Sequence, residues 1–275
     1  MNSTAVSSSS SSASGPILLT VERGMQVLRA FRSDQASVSN TELVRRTGLS
    51  KATVYRLTST LLDLGFIRHV PGGREFELAT GPFPIGQAMI GASELLTAAE
   101  PLLQDLADAL GVSVALGTPD GLDMLYVAYR ASRSVVGLRM GVGSLLPMGT
   151  TAIGHAYLWG LPERERAALL QRITAKAGAR RNGIEAAVER SFIDLQEGGA
   201  CGLLGTFQRD AYAVALPVRI GRARALMALS CGKVDRRPDL VAEFRRIVPL
   251  LKSMAGRLER SLSDVDTLAV DHSSR

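Results

Sequence analysis

Between Thr20 and Phe31 the apolar residues Met25, Leu28 and Phe31 fall three apart, the spacing of one buried stripe on a helix. The helical period returns in two shorter segments. Ser39 with Glu42 three residues on reads as a capping box, and Gly48 as a left-handed stop, so a helix is predicted between them. Ser50 can cap the next helix, which runs to Gly65 with Val54, Leu57, Leu61 and Leu64 inward and Ala52, Tyr55, Arg56 and Ser59 outward. Phe66 to Val70 and Arg74 to Leu78 then read as strands joined by the turn Pro71-Gly72-Gly73. Three helices and a two-stranded wing predict a winged helix-turn-helix over residues 17–80.

Gly81-Pro82 and Pro84 interrupt the pattern, after which Ile85, Met89, Leu95, Leu96, Leu102, Leu103, Leu106 and Leu110 form a second helical stripe. Proline suits a first helical turn, so Pro101 predicts a division into helices 84–98 and 100–110. The first, a linker helix within 81–98, has apolar coverage wider than one small domain needs. It either buries itself against a second copy or packs on its own chain. From Val112 the period becomes two: VSVALGT, MLYVAYRA and VVGLRMG read as strands, with Thr118-Pro119-Asp120-Gly121 turning between the first pair. A loop then leads into a helix from Thr151, and a polar helical region covers Pro162 to Gln196 with a break near Gly178 to Gly183. AYAVALPVRI and ARALMALSCGKV read as strands meeting at Ile220-Gly221-Arg222. Asp235 and Pro238 start a last helix with Leu240, Phe244, Ile247, Leu251, Met254 and Leu258 inward. The second domain is placed at 99–262, a frayed end at 263–275, and a disordered serine-dominated tail at 1–16, which lacks the apolar area to offset its ordering entropy. The class expected is α+β with an antiparallel sheet.

At 275 residues and 46% apolar content the chain can bury two cores, and 5% aromatic content makes them mostly aliphatic. Charge sharpens the picture. From Arg45 to Arg74 there are six cations, Arg45, Arg46, Lys51, Arg56, Arg68 and Arg74, against the single acid Asp63, while the whole chain carries only +6. Such concentration is the footprint of a phosphate partner, here double-stranded DNA. The candidate contacts are Thr41, Ser50, Lys51, Ala52, Thr53, Tyr55, Arg56 and Ser59 on the helices and Arg74 in the wing. Chemistry elsewhere is sparse. Cys201 and Cys231 form no CxxC, so neither a disulfide framework nor a metal site is signalled, and a reducing cytoplasm fits. No signal peptide or membrane span is legible. His69, His155 and His272 stand in no known nucleophile context, and neither GxGxxG after a strand nor GxxxxGK occurs, so no catalytic residues and no cofactor are expected.

The segments LTVERGMQVLRAF, LVRRTGLSKATVYRLTSTLLDLGFIRH and PGGREFEL, within Leu19 to Leu78, resemble the DNA-binding domain of IclR-type bacterial transcription regulators. The resemblance implies a linker helix followed by a GAF-like effector-binding domain. Farther on, Pro147, Thr151, Ala152, Gly154 and Ala156 match the family's most recognisable effector-domain segment, whereas His155 stands where lysine or arginine is usual and Gly149-Thr150 replaces a commoner histidine-alanine pair. The loop from Leu145 to Thr151 would bring unpaired backbone N–H groups and a helix N-terminus to a carboxylate. Candidate effector residues are therefore Met148, Gly149, Thr150 and Thr151, with Asp210 and Ser230 to fix the rest of a ligand. The expectation is a homodimer or tetramer on operator DNA, responding to a small organic or aromatic acid. The rival is a metabolite-converting enzyme domain fused to a DNA-binding module.

Overall fold

The computed structural model describes residues 18–266 except 33, 34, 36, 138, 139, 236 and 237. The serine-rich tail and residues 267–275 of the expected frayed end lie outside the described residues. The chain separates into two compact units with a boundary between Pro82 and Phe83.

In the first unit α1 (Leu19–Arg29), α2 (Asn40–Thr47) and α3 (Lys51–Asp63) precede β1 (Ile67–His69) and β2 (Phe76–Leu78), which pair antiparallel. Both helix starts use the hydroxyls read from the sequence: Ser39 Oγ accepts from Glu42 N at 3.2 Å and Ser50 Oγ from Thr53 N at 3.2 Å. Gly48, at φ +70°, ends α2 in the left-handed conformation that glycine tolerates without a Cβ penalty. The core gathers Val27, Phe31, Val38, Leu43, Val54, Leu61, Ile67 and Phe76. Two expected core residues lie outside it. Met25 is exposed, because α1 packs through its C-terminal half, where Val27 is buried instead. Leu64 is exposed because α3 ends at Asp63, leaving Leu64 at the C-cap, while Thr58 takes the inward place between Val54 and Leu61.

The second unit is a two-faced sheet with helices on each side. After α4 (Pro82–Gly91), which crosses the boundary, come α5 (Glu94–Leu110), β3 (Ser113–Asp120), β4 (Asp123–Ala131), β5 (Leu145–Pro147) and a 3₁₀ turn at Met148–Thr150. Then follow α6 (Ala152–Gly160), α7 (Glu163–Ala177), α8 (Arg181–Gly198), β6 (Cys201–Leu204), β7 (Ala211–Ile220), β8 (Ala225–Val234) and α9 (Leu240–Ser261). The described strands pair antiparallel in the order β5-β4-β3-β8-β7-β6. On one face Leu103 of α5 and Ile247 and Leu251 of α9 pack with Val114 and Leu229; on the other, Ile153 and Leu158 of α6 and Val188 of α8 pack with Ala115, Ala215 and Ala228. This is the α+β architecture that the two periodicities imply.

Several boundaries differ from the pattern reading. The helical break falls at Ala92-Ser93, where Ser93 Oγ caps Leu96 N at 3.3 Å, and Pro101 sits exposed inside α5. A proline inside a helix forfeits one N–H bond and is accommodated here, so the cap signal decided. Val135, Val136 and Gly137 are not strand, and residues 138 and 139 of that expected strand lie outside the described residues. The strand that pairs with β4 on the side away from β3 is Leu145–Pro147, which reads as loop in the sequence; β3 itself continues to Asp120, so the turn tightens to Gly121-Leu122. β6 is too short and glycine-flanked to carry a period. The last helix starts at Leu240, capped by Asp239 Oδ1 on Ala242 N at 3.1 Å rather than at Pro238, and Leu240 remains exposed.

Candidate nucleic-acid interface and ligand cavity

The exposed side of α3 brings Lys51, Ala52, Tyr55 and Arg56 together, with Thr53 and Ser59 half-buried along its edges. Tyr55 is 66% exposed, an aromatic ring that the small core does not claim. Ser50 is exposed at the start of the helix, but its hydroxyl is occupied as cap and lies 2.9 Å from Thr53 Oγ1. Thr41 is exposed in the first turn of α2, and Arg74 is exposed in the wing turn. The cations are not equivalent. Glu42, instead of closing its capping box, forks across Arg45 (2.6 Å) and Arg46 (2.6 Å), and the hydrogen bonds from these two arginines hold its carboxyl down at about 2. Arg46 also donates to Ala30 O at 2.7 Å, and Arg68 pairs with Glu77 at 2.8 Å. Lys51, Arg56 and Arg74 make no ion pair with a described residue.

Inside the second unit lies a cavity of about 60 Å³. Its floor is the sheet face that carries Ser113, Ala115, Tyr126, Ala213 and Ser230; Met140, Leu146, Thr151, Ile153, Phe207 and Gln208 are among the residues that line the remainder. Two of the six effector candidates, Thr151 and Ser230, are thereby brought together. Met148 and Gly149 are buried elsewhere: a Cβ on Gly149 would lie 2.7 Å from Ile173 Cγ2 and 3.2 Å from Ile184 Cγ2, so this residue faces α7 and α8. Thr150 is half-buried and Asp210 exposed, and neither lines the cavity. The Thr151 hydroxyl is fully engaged in local structure, donating to Pro147 O at 2.8 Å and accepting from Gly154 N at 3.3 Å. Gly154 is fixed by contact, since a Cβ there would sit 2.2 Å from Met148 O.

The departure at position 155 has a structural meaning. His155, with no exposed surface, spans two elements: Nε2 lies 3.1 Å from Gly149 O and Nδ1 lies 2.7 Å from Ser191 Oγ on α8. A carbonyl only accepts, so Nε2 carries the proton and Nδ1 accepts from the serine. Burial lowers the imidazole pKa, the Gly149 bond partly opposing it. This serine–histidine pair does not line the cavity. The thiols of Cys201 and Cys231 are pushed up to about 12 by burial, well above any range that supports a nucleophile. Among the described residues no cluster of His, Cys, Asp or Glu could hold a metal, and no helix is long and apolar enough to cross a membrane.

Sequence reasoning passed over Tyr126, Phe207 and Gln208, all of which line the cavity. The tyrosine was findable, as a large polar aromatic in a mostly apolar strand of a chain poor in aromatics. Phe207 and Gln208 lie in a loop without periodicity, and nothing in the sequence marks them.

A capped recognition helix with a cationic outer face, joined to a separate α+β unit enclosing a cavity, is the build of a ligand-responsive transcription regulator rather than of an enzyme. Residues 20–71 match the IclR helix-turn-helix domain and residues 87–259 the C-terminal domain of the bacterial transcriptional regulator IclR. The chain belongs to the IclR family of transcriptional regulators. It is 30% identical over 174 residues to the HTH-type transcriptional regulator TsaQ1/TsaQ2 of Comamonas testosteroni, a match covering 61% of this chain and 62%, less than two thirds, of that protein. The crystal structure of an IclR family transcriptional regulator from Brucella abortus is 28% identical, with a TM-score of 0.75 over 88% of this chain and 93% of that one. An IclR homolog from Microbacterium hydrocarbonoxydans, crystallised with 4-hydroxybenzoate, shares the fold at 17% identity, with a TM-score of 0.62 over 88% of this chain and 98% of its own.

Proposed function

We propose that this regulator acts in the cytoplasm as a homodimer, or as a tetramer, that occupies operator DNA through α3 and releases or engages it when a small organic or aromatic acid fills the cavity of the second unit. The observation that carries the reading is the outward face of α3, where Lys51, Tyr55 and Arg56 stand exposed on a helix whose start is fixed by Ser50. Recognition helices of this kind read base edges in the major groove. Thr41, Ser50, Ala52, Thr53 and Ser59 would border that contact, with Arg74 on phosphate. Dimerisation is supported by large apolar side chains that are exposed among the described residues: Leu18, Leu19, Val21 and Met25 near the start, and Phe83, Ile85 and Met89 on α4.

For the effector, Thr151 and Ser230 are the candidates that meet in the cavity, and Met148, Gly149, Thr150 and Asp210 would act only at one remove. Since the Thr151 proton is already donated to Pro147, an incoming carboxylate would rest on the first-turn N–H groups of Ala152 and Ile153, which have no acceptor within their own helix. The 4-hydroxybenzoate bound by the Microbacterium protein supports an aromatic acid as a ligand that this fold accommodates. Gel-shift of the purified protein on its own upstream intergenic DNA, with and without a panel of metabolites, tests the reading. A specific shift that one small acid alters is expected, and binding no tighter than to random DNA refutes it.

A further inference from the structure

We propose that Tyr212, Glu243 and Arg246 form the relay through which occupancy of the cavity reaches α5, the helix that follows α4 in the chain. This rests on the reading of the cavity as the effector site. The Tyr212 hydroxyl, on β7, donates to Glu243 Oε2 on α9. Arg246, one turn farther along α9, donates to that same oxygen through Nη2 at 2.6 Å. Its Nη1 donates to the carbonyl of Leu110, the last residue of α5, at 2.7 Å. Three elements are thus joined through one carboxylate oxygen and one guanidinium.

The cavity end of the relay is set by the alternation of β7. Ala211 and Ala213 line the cavity, and the Tyr212 side chain crosses to the opposite face, buried in the layer of α5 and α9. The segment that carries Thr206, Phe207 and Gln208 into the cavity is tied to the same point. Ala211 N donates to Gln208 O at 3.0 Å, and Gly205 N donates to Ala211 O at 2.9 Å. A ligand that displaces this segment therefore pulls on the residue next to Tyr212. At the other end, the last carbonyls of a helix have no partner within it, and a cation there complements the helix dipole. Arg246 supplies both for α5. Withdrawing the phenol from Glu243 Oε2 alters the competition between that oxygen and Leu110 O for the guanidinium. The surrounding layer is aliphatic, with Leu103, Val214, Ile247 and Leu251. A polar chain set into such a layer adds little to stability relative to apolar packing, and what it fixes is a position.

Coupling between two sites is reciprocal, so the relay is measurable from the DNA side with the effector unidentified. Hydrogen exchange is followed by mass spectrometry in the full-length protein, with and without its own upstream intergenic DNA, in the parent, Tyr212→Phe and Arg246→Met. In the parent, DNA should change the exchange of segment 205–211, where the Gly205 and Ala211 amides are bonded, by about fivefold or more. Tyr212→Phe keeps the ring and removes the oxygen, and Arg246→Met keeps the aliphatic stem and removes the donors. Each should abolish the response to DNA while leaving DNA affinity within about twofold. A purely structural role would instead raise exchange with and without DNA and leave the difference between them intact. Arg246→Met decides the matter if the tyrosine variant does not fold. A segment indifferent to bound DNA in the parent, or a response that survives in a folded variant, overturns the inference and leaves the regulator reading standing. Absence of any specific DNA complex overturns the regulator reading and the relay with it.

Discussion

Replacing His155 tests how the α6 region is held together. The ring is bonded at both ends, to the Gly149 carbonyl and the Ser191 hydroxyl, and has no exposed surface. His155→Ala removes both bonds and most of the side chain. Each orphaned buried polar group costs about 1–3 kcal/mol. Ser191 also lies beside Cys201, which softens its loss, so the Gly149 carbonyl bears the larger cost. With the packing deficit of a large-to-small change, the expected destabilisation is about 4 kcal/mol. His155→Gln places an amide N–H near the position of Nε2, keeps the Gly149 bond and should cost only about 1–2 kcal/mol. Trp159, the sole tryptophan, packs on Phe192 with ring centroids 5.3 Å apart, so its fluorescence in urea follows the second unit without interference from the first. Equal losses in the two variants, or a loss below about 1 kcal/mol in His155→Ala, would refute the reasoning. A pH dependence follows with a definite sign. Burial holds the folded imidazole below 6.5, so as pH falls the unfolded chain takes up the proton first. The contribution to stability is intact above about 6.5 and declines below it, by at most about 1.4 kcal/mol per pH unit, until the folded ring itself titrates. His155→Gln should lack this component.

Other expectations concern the remaining surfaces. Arg56→Ala should weaken operator binding by about 1–3 kcal/mol if the guanidinium reads a guanine edge, whereas Arg74→Ala should weaken operator and random DNA alike and reduce the salt slope by about one unit. Unchanged operator affinity in a folded Arg56 variant, or an unchanged slope in the Arg74 variant, counts against these roles. If the proposed dimer uses α4, Met89→Glu buries a charge at the seam and sedimentation should show a smaller assembly; an unaltered one moves the interface elsewhere. Gly149→Leu is expected to lower stability by about 1–3 kcal/mol or more through overlap with Ile173 and Ile184, with any loss of effector response following from that damage. A fully stable variant would show that the α7–α8 cover gives way.

Much of the fold was legible because its boundaries carry local chemistry. Ser39, Ser50 and Gly48 act within three or four residues, so their effect can be read from the string. The Pro101 break failed for the converse reason: a proline's cost depends on what surrounds it, and here the Ser93 cap and the buried stripe from Leu95 to Leu110 outweigh it. Leu145–Pro147 became a strand only through its partner Asp123 to Leu125, a pairing over roughly twenty residues that no window of period two can register. The same limit governs the cavity. Thr151 and Ser230 were found as polar residues near a helix start and in a strand, but Gly149 faces away because of α7 and α8, whose placement is a tertiary fact.

The fork of Glu42 across Arg45 and Arg46 bears on how the protein would search a chromosome. Counted along the chain, six cations are available to DNA; with Arg45, Arg46 and Arg68 already facing carboxylates, three per protomer remain uncommitted. Counterion release scales with phosphates neutralised, so a dimer would show a log–log salt slope of about −5 rather than about −11. Loose attachment to random sequence weakens accordingly, and time spent trapped on irrelevant sites falls with it. Discrimination then depends on the base-reading face of α3, and a shallow salt response together with a high ratio of operator to random affinity would be its signature.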